Sequence, residues 1–322
     1  MTDAAAELPF HFYYRQSDRP QAQSHQGNAV DFIILPGNPG CMQFYKPFAD
    51  CLFEKCDRSA SVYVISHLGH STTSHAKAEI DEDDRRSVQS QSDWSGDDLS
   101  IVDLQVLQKL TFLRSHVNPE STLILIGHSV GSYILLKMLP HIDRRRIGKA
   151  IFLFPTIYRI ADTPNGRWQR PFYTRHMWIP LLFANLVLRM PRCLLTPLIG
   201  MYMRWEGTSS EYIHQMTKGV LEMGDSSVLK AMLTMGECEM LQINDFSANS
   251  RQTILDFNDK CSFYYGASDK WAPEEWVRYF SEQFPQAHVH RCDPDIKHAF
   301  VLSSFEEVAD MVLECSSDIL LS

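Results

Sequence analysis

Residues 121–126 (STLILI) run directly into Gly127-His128-Ser129-Val130-Gly131, and residues 132–139 then take up a helical pattern. A continuous apolar run of that length suits a strand buried on both faces, as in the middle of a parallel sheet. A strand that turns straight into a helix must do so sharply, and the residue at the corner is held in a strained backbone conformation. The positions two before and two after that corner must be tiny, because strand and helix pass close together. Gly127 and Gly131 meet the demand. Ser129 is then lifted above the carboxyl end of the sheet, at a helix N-terminus whose dipole favours developing negative charge. Five such letters alone are common; between a buried strand and a helix they read as a nucleophile turn.

The same alternation continues along the chain. Residues 29–35 (AVDFIIL), 61–66 (SVYVIS), 149–154 (KAIFLF), 260–265 (KCSFYY) and 288–292 read as strands. Amphipathic stretches at 42–55, 97–117, 273–283 and 304–315 read as helices. Asn118-Pro119 ends the long one, since proline disfavours helix at the residue before it. This is the pattern of a mostly parallel sheet with helices on both faces. Residues 70–94, with the acidic run Asp81-Glu82-Asp83-Asp84, show no periodicity and read as a solvated surface loop. Between Pro155 and about Ser250 the rhythm is lost. The expected organisation is an N-terminal segment (1–28), a sheet domain built from 29–156 and 251–322, and an inserted, mostly helical cap or lipid-contact region (157–250).

Of the 322 residues 44% are apolar, ample for a core, and the net charge of −9 argues against a nucleic-acid footprint. The eight cysteines form no CxxC pair, so buried reduced thiols in a cytosolic protein are expected. Nothing after Met1 couples a basic region to an apolar stretch, and no secretory signal is expected. His67, His70 and His75 cluster loosely, but without nearby cysteine or paired carboxylates they make a poor metal site.

A serine hydroxyl needs a base, and the base needs an orienting carboxylate. Asp269 follows the strand KCSFYY, and His298 lies between the last strand and the last helix, in the order acid then base that this architecture uses. Asp269 can also be read as a helix cap ahead of Pro273, and His298 as a surface-loop histidine. Asp293 and Asp295 lie on the wrong connection, and Asp256 and Asp259 precede their strand. The oxyanion donors expected are the backbone N–H groups of Val130, after the nucleophile, and of Asn38 in Leu35-Pro36-Gly37-Asn38-Pro39-Gly40, where Pro39 has no hydrogen to give. His128 reads as a packing residue. Neither a metal nor an organic cofactor is needed.

The most apolar stretch is residues 177–203, opening at Met177 and closing at Met203. Pro180, Pro191 and Pro197 break it, and Arg189 and Arg192 interrupt it, so each arm is too short for a bilayer of about 30 Å. It reads as a cap over the site, as a bent hairpin dipping into a lipid surface, or as both.

Several landmarks together resemble the lipid droplet-associated hydrolase family. They are LPGNPG (35–40) with Phe44-Tyr45, GHSVGSY (127–133), Phe154-Pro155-Thr156-Ile157 with Pro164-Asn165-Gly166, Phe263-Tyr264-Tyr265-Gly266 with Asp269 and Trp271, and His298-Ala299-Phe300. The resemblance implies an α/β-hydrolase fold, a triad on Ser129, Asp269 and His298, and association with lipid droplets and the endoplasmic reticulum membrane through residues 177–203. It implies a serine lipid hydrolase acting on hydrophobic esters, with cholesteryl esters foremost. Two other readings stay open on sequence: a droplet-associated binding or organising protein with little turnover, and a lipid acyltransferase using the same acyl-enzyme. No protein partner is indicated.

Overall fold

The structure is a computed structural model that describes residues 7–18, 29–72, 76–79, 81–92 and 99–321. In chain order its elements are β1 (Glu7–Phe10), β2 (Phe12–Arg15), β3 (Val30–Leu35), α1 (Lys46–Lys55), β4 (Ser61–Ile65), β5 (Ala76–Glu79), α2 (Glu82–Ser90), α3 (Ile101–His116), β6 (Thr122–His128), α4 (Val130–Met138) and β7 (Ile147–Leu153). There follow five helices, α5 (Pro164–Thr174), α6 (Trp178–Leu188), α7 (Arg192–Glu206), α8 (Ser210–Glu222) and α9 (Ser226–Gln242). The chain then returns to the sheet through α10 (Ala248–Asp256), β8 (Cys261–Tyr265), α11 (Glu274–Gln283), β9 (His288–Arg291), α12 (Phe305–Cys315) and α13 (Ser317–Leu320).

Seven strands form one sheet in the order β2-β4-β3-β6-β7-β8-β9, parallel except for the antiparallel edge strand β2. Side chains alternate between the two faces as the period of two requires. Ile33, Leu35, Leu123, Leu125 and Phe152 enter one core, shared with α3, α4, α10 and α11. Phe32, Ile34, Ile124, Ile126 and Ile151 enter the other, shared with α1 and α12. Both faces are covered, which is why these strands read as continuous apolar runs. After β3 the chain moves first to β4 on one side and then to β6 on the other. The crevice beyond the carboxyl ends of β3 and β6 is therefore the topological switch point, where ligands of open α/β sheets bind.

Two stretches differ from expectation. The sheet takes in residues 12–15, ahead of the expected start of the core at 29; β2 is short and aromatic, and nothing before it marked it as a strand. Residues 82–90 of the acidic loop are a helix. Asp81 caps it, accepting from the N–H groups of Asp83 (2.8 Å) and Asp84 (3.2 Å), and Arg114 of α3 pairs with both Asp81 and Asp84. Acids at a cap and in a first turn stabilise a helix through its orphan N–H groups and dipole, and that logic outweighs the missing periodicity. The long helix starts at Ile101, where Ser100 and Asp103 close a reciprocal capping box; Asp97, Asp98 and Trp94 lie outside the described residues.

The region between β7 and α10 is helical, as expected. Residues 177–203 form α6 and most of α7, bent by 116° about the break at 189–191. No single helix among the described residues is long and apolar enough to cross a membrane. All eight cysteines are free thiols, and Cys193 on α7 is exposed rather than buried.

Candidate active site

The corner at Ser129 has φ 53° and ψ −122°, in the left-handed half of the map where a non-glycine residue is strained by roughly 1–3 kcal/mol. Its own N–H donates to the carbonyl of Leu153 on the neighbouring strand (3.0 Å), which holds the corner in place. A Cβ on Gly127 would lie 2.7 Å from the Gly131 carbonyl oxygen, and one on Gly131 would lie 2.2 Å from that of Leu35. Both contacts are with backbone, which cannot give way. The two glycines are thus required by strand–helix proximity, as the sequence implies.

The loops after β8 and β9 bring the other two residues to the serine. His298 Nε2 is 3.0 Å from Ser129 Oγ, and His298 Nδ1 is 2.6 Å from Asp269 Oδ2. The other oxygen of Asp269 accepts from the N–H of Trp271 (2.7 Å), a local turn that fixes the carboxylate's direction. Burial pushes this carboxyl upward, but His298 and the N–H groups of Trp271 and Ala272 outweigh it and hold the group below its ordinary range. An ionised Asp269 keeps the imidazole proton on Nδ1, leaving the Nε2 lone pair to accept from the serine hydroxyl. The Pro164-Asn165 turn braces the acid from outside, Asn165 N–H donating to the Lys270 carbonyl (3.2 Å).

The loop after β3 passes directly over the serine: a Cβ on Gly37 would be 3.0 Å from Ser129 Cβ. Asn38 follows it. Val130 is the first residue of α4, so its N–H has no acceptor within the helix. Both expected oxyanion donors therefore border the nucleophile. Competing acids do not: Asp259, Asp293 and Asp295 line a separate open groove of about 860 Å³ across the β9 edge, which none of Ser129, Asp269 and His298 touches.

Two features escaped the sequence reading. His128 does more than pack. Gly37 N–H donates to Tyr45 Oη (2.7 Å), the Tyr45 hydroxyl donates to His128 Nδ1 (2.5 Å), and His128 Nε2–H donates to the His298 carbonyl (2.9 Å). Each donor has one acceptor, so the chain of bonds ties the Gly37–Asn38 loop to the His298 loop in a single sense. Burial, and the neighbouring His298, depress His128 to about 3, so it stays neutral and transfers no proton. The only signal for this in the sequence was an aromatic hydroxyl five residues after the first loop. Behind the same loop, His67 and His70 act as braces. Gly40 N–H donates to His70 Nδ1 (2.8 Å), and buried Lys109 donates to His67 Nδ1 (3.0 Å). Among the described residues no three metal-ligating side chains converge there; His75 lies outside them.

A cavity of about 360 Å³ opens onto Ser129 and His298. Its walls are largely apolar, with Phe44, Ile160, Met203, Val220, Met240 and Trp271 among them. Ile160, Met203, Val220 and Met240 come from the inserted region. The second missed residue, Glu239 of α9, stands in this wall: it is 5% exposed, and its Oε1 accepts from Asn38 Nδ2 (2.9 Å).

A mostly parallel doubly wound sheet, with a serine at its strand–helix corner facing a histidine backed by a carboxylate, defines an α/β-hydrolase. Solved structures agree on the fold: an esterase from Exiguobacterium antarcticum superposes with a TM-score of 0.54 over 96% of both chains at 13% identity. Within that class the chain belongs to the lipid-droplet associated hydrolase family, whose model matches residues 28–301. Lipid droplet-associated hydrolase of Pongo abelii is 32% identical over 287 residues, spanning 89% of this chain and 84% of that one. Its counterpart from Homo sapiens is 31% identical over the same length.

Proposed function

We propose that this protein hydrolyses carboxylic esters of hydrophobic lipids at the surface of lipid droplets and on the cytosolic face of the endoplasmic reticulum, with sterol esters among its substrates. The reading rests above all on the unbroken hydrogen-bonded line from Ser129 Oγ through His298 to Asp269, at 3.0 and 2.6 Å, beneath an apolar cavity.

Ser129 Oγ attacks the acyl carbonyl while His298 Nε2 takes its proton. The N–H groups of Val130 and Asn38 receive the charge that develops on the carbonyl oxygen, each worth about 3–4 kcal/mol in sites of this kind. The tetrahedral species collapses, the alcohol leaves with the proton from His298, and the acyl group remains on Ser129. Water then attacks the acyl-enzyme, giving its proton to His298, and the free acid departs as the serine is regenerated. Asp269 holds the imidazole in the tautomer that both steps need and stabilises the imidazolium between them. The scheme calls on no metal or cofactor.

Contact with lipid is supported by the outer faces of α5–α7. Trp168, Trp178, Phe183, Leu186, Met201 and Trp205 are each more than half exposed, and so many large exposed apolar side chains mark interaction with membranes or proteins. Met203 of the same segment is buried over the cavity. The segment thus suits a cap on its inner side and a lipid anchor on its outer side.

A fluorophosphonate probe tests the catalytic reading. Ser129 is expected to carry the adduct, and Ser129→Ala protein to remain folded and unlabelled. A folded wild-type sample that takes no label would sink the proposal.

A further inference from the structure

Among the described residues Glu239 is the one acidic side chain in the wall of the cavity beside Ser129. It comes from α9, in the middle of the inserted region, and is 95% shielded from solvent by relative area (5% exposed). Its Oε1 accepts from Asn38 Nδ2, and among the described residues the carboxyl makes no other side-chain hydrogen bond. Oε2 has no partner. Burial pushes this carboxyl up to about 7, with the Asn38 bond the only opposing influence.

A largely buried carboxyl with one oxygen left to whatever fills the cavity is costly to keep, and the tether to Asn38 does not require it. The same Asn38 Nδ2 also donates to the Met232 carbonyl (3.0 Å), so the loop is held to α9 without the acid. The other polar groups nearby are already committed: Tyr45 and His128 to each other, and Tyr173 to Gln169 (3.2 Å). Glu239 is what the cavity offers to a ligand.

We propose that Glu239 is a specificity-determining residue that binds a free hydroxyl on the substrate, so that the preferred ester carries a hydroxyl close to its scissile bond, as a partial glyceride does. This deepens the esterase reading above and rests on it. A hydroxyl both donates and accepts, so it satisfies Oε2 whether the carboxyl is charged or neutral. An anionic headgroup is repelled by the charged form. A wholly apolar ester leaves Oε2 unpaired in the complex and forfeits about 10- to 100-fold in selectivity.

The test compares kcat/KM for a 1-monoacylglycerol with that for the propyl ester of the same acid, which differs only in lacking two hydroxyls. In the wild-type protein the ratio is expected to favour the glyceride by about 10- to 100-fold. Glu239→Leu should bring the ratio close to one. Glu239→Gln keeps the shape and the Asn38 contact with a weaker neutral hydrogen bond, and should leave an intermediate ratio even where the leucine variant does not fold. A wild-type ratio near one, or the wild-type ratio persisting in the variants, overturns the proposal. Binding separates this from failure of catalysis. A non-hydrolysable 1-O-alkylglycerol titrated into Ser129→Ala protein should bind more tightly than the matching alkyl propyl ether, and should lose that advantage in the Ser129→Ala, Glu239→Leu double variant. Equal binding of the two ethers counts against Glu239 whatever the protein's turnover; absent turnover with the ether preference intact counts only against the esterase reading.

Discussion

At the scale of single residues the site is a set of short, mutually dependent hydrogen bonds. Asp269 illustrates the dependence: it touches no reacting atom, yet its two oxygens fix both the tautomer and the tilt of His298 through contacts at 2.6 and 2.7 Å. Asp269→Asn keeps the shape but offers an amide where an acceptor is needed, and the imidazole then carries its proton on the wrong nitrogen. Turnover of a soluble ester is expected to fall by roughly 10³–10⁴ with little change in KM or in the far-ultraviolet circular dichroism spectrum. A decrease of only a fewfold would mean that His298 is oriented by something else, and the His128 bond to its carbonyl (2.9 Å) would be the first place to look. Most of these atoms could be named from sequence, because the nucleophile turn announces itself and chain order supplies the acid and the base. Glu239 and the Tyr45–His128 link could not. An acid among the methionines and cysteines of a helix, or a tyrosine after a loop, says nothing of what it faces until distant segments are brought together.

At the scale of elements, the central parallel strands were legible because double-sided burial leaves mostly apolar residues in them, and the edge strand β9 was legible as well. Two other pieces, β2 and α2, were not. β2 has one side of its ladder unpaired and carries a mixed pattern, and α2 is a short helix held by a cap and by Arg114 rather than by an apolar face. The helices α5–α7 pose the converse case: their apolar character is plain in sequence, but whether it points inward is not. No residue of α6 is buried. Leu182, Phe183 and Leu186 on that helix are 54%, 69% and 55% exposed, and each is worth about 1.5–3 kcal/mol if it enters a lipid phase. Changing all three to serine should weaken binding to phospholipid-coated triacylglycerol droplets by well over 100-fold in flotation assays, while Ser129 still reacts with a fluorophosphonate. Flotation unaffected by the triple change would leave the surface to a protein partner.

The whole molecule couples two bodies of sequence, the sheet domain and the inserted helices, through the loop at Asn38. That loop is braced from behind by His67 and His70 and held in front by α9. Its buried neutral groups make stability depend on pH in two opposing ways. Burial depresses His128 and His70 to about 3, and nearby Lys109 reinforces this at His70. Unfolded histidines take up protons below roughly 6.5. Between those values the unfolded chain binds more protons, so stability is full above about 6.5 and drains as the pH falls, by up to about 1.4 kcal/mol per pH unit for each ring. Glu239 acts in the other sense. Its carboxyl is raised to about 7 by burial, so its contribution is full below the ordinary carboxylate range and is lost as the pH rises through about 7. Thermal unfolding followed from pH 4 to 9 should therefore show an acid limb below about 6.5 that His70→Gln flattens; Glu239 opposes that limb between the ordinary carboxylate range and about 7, so Glu239→Gln should steepen it there. An acid limb unchanged in the His70 variant would show that this ring is not held neutral in the fold.

Local pattern was enough to determine the sheet's strands, the serine corner with its two small neighbours, and the order in which acid and base follow, because burial on both faces and steric closeness act on residues adjacent in the chain. Tertiary structure alone decided that β2 extends the sheet, that the apolar midsection turns one side to the cavity and the other to solvent, and that Glu239 stands beside Asn38. Those outcomes depend on which surfaces meet across long stretches of chain, as many as 201 residues between Asn38 and Glu239, and no property of a residue or its neighbours encodes the identity of a partner that far away.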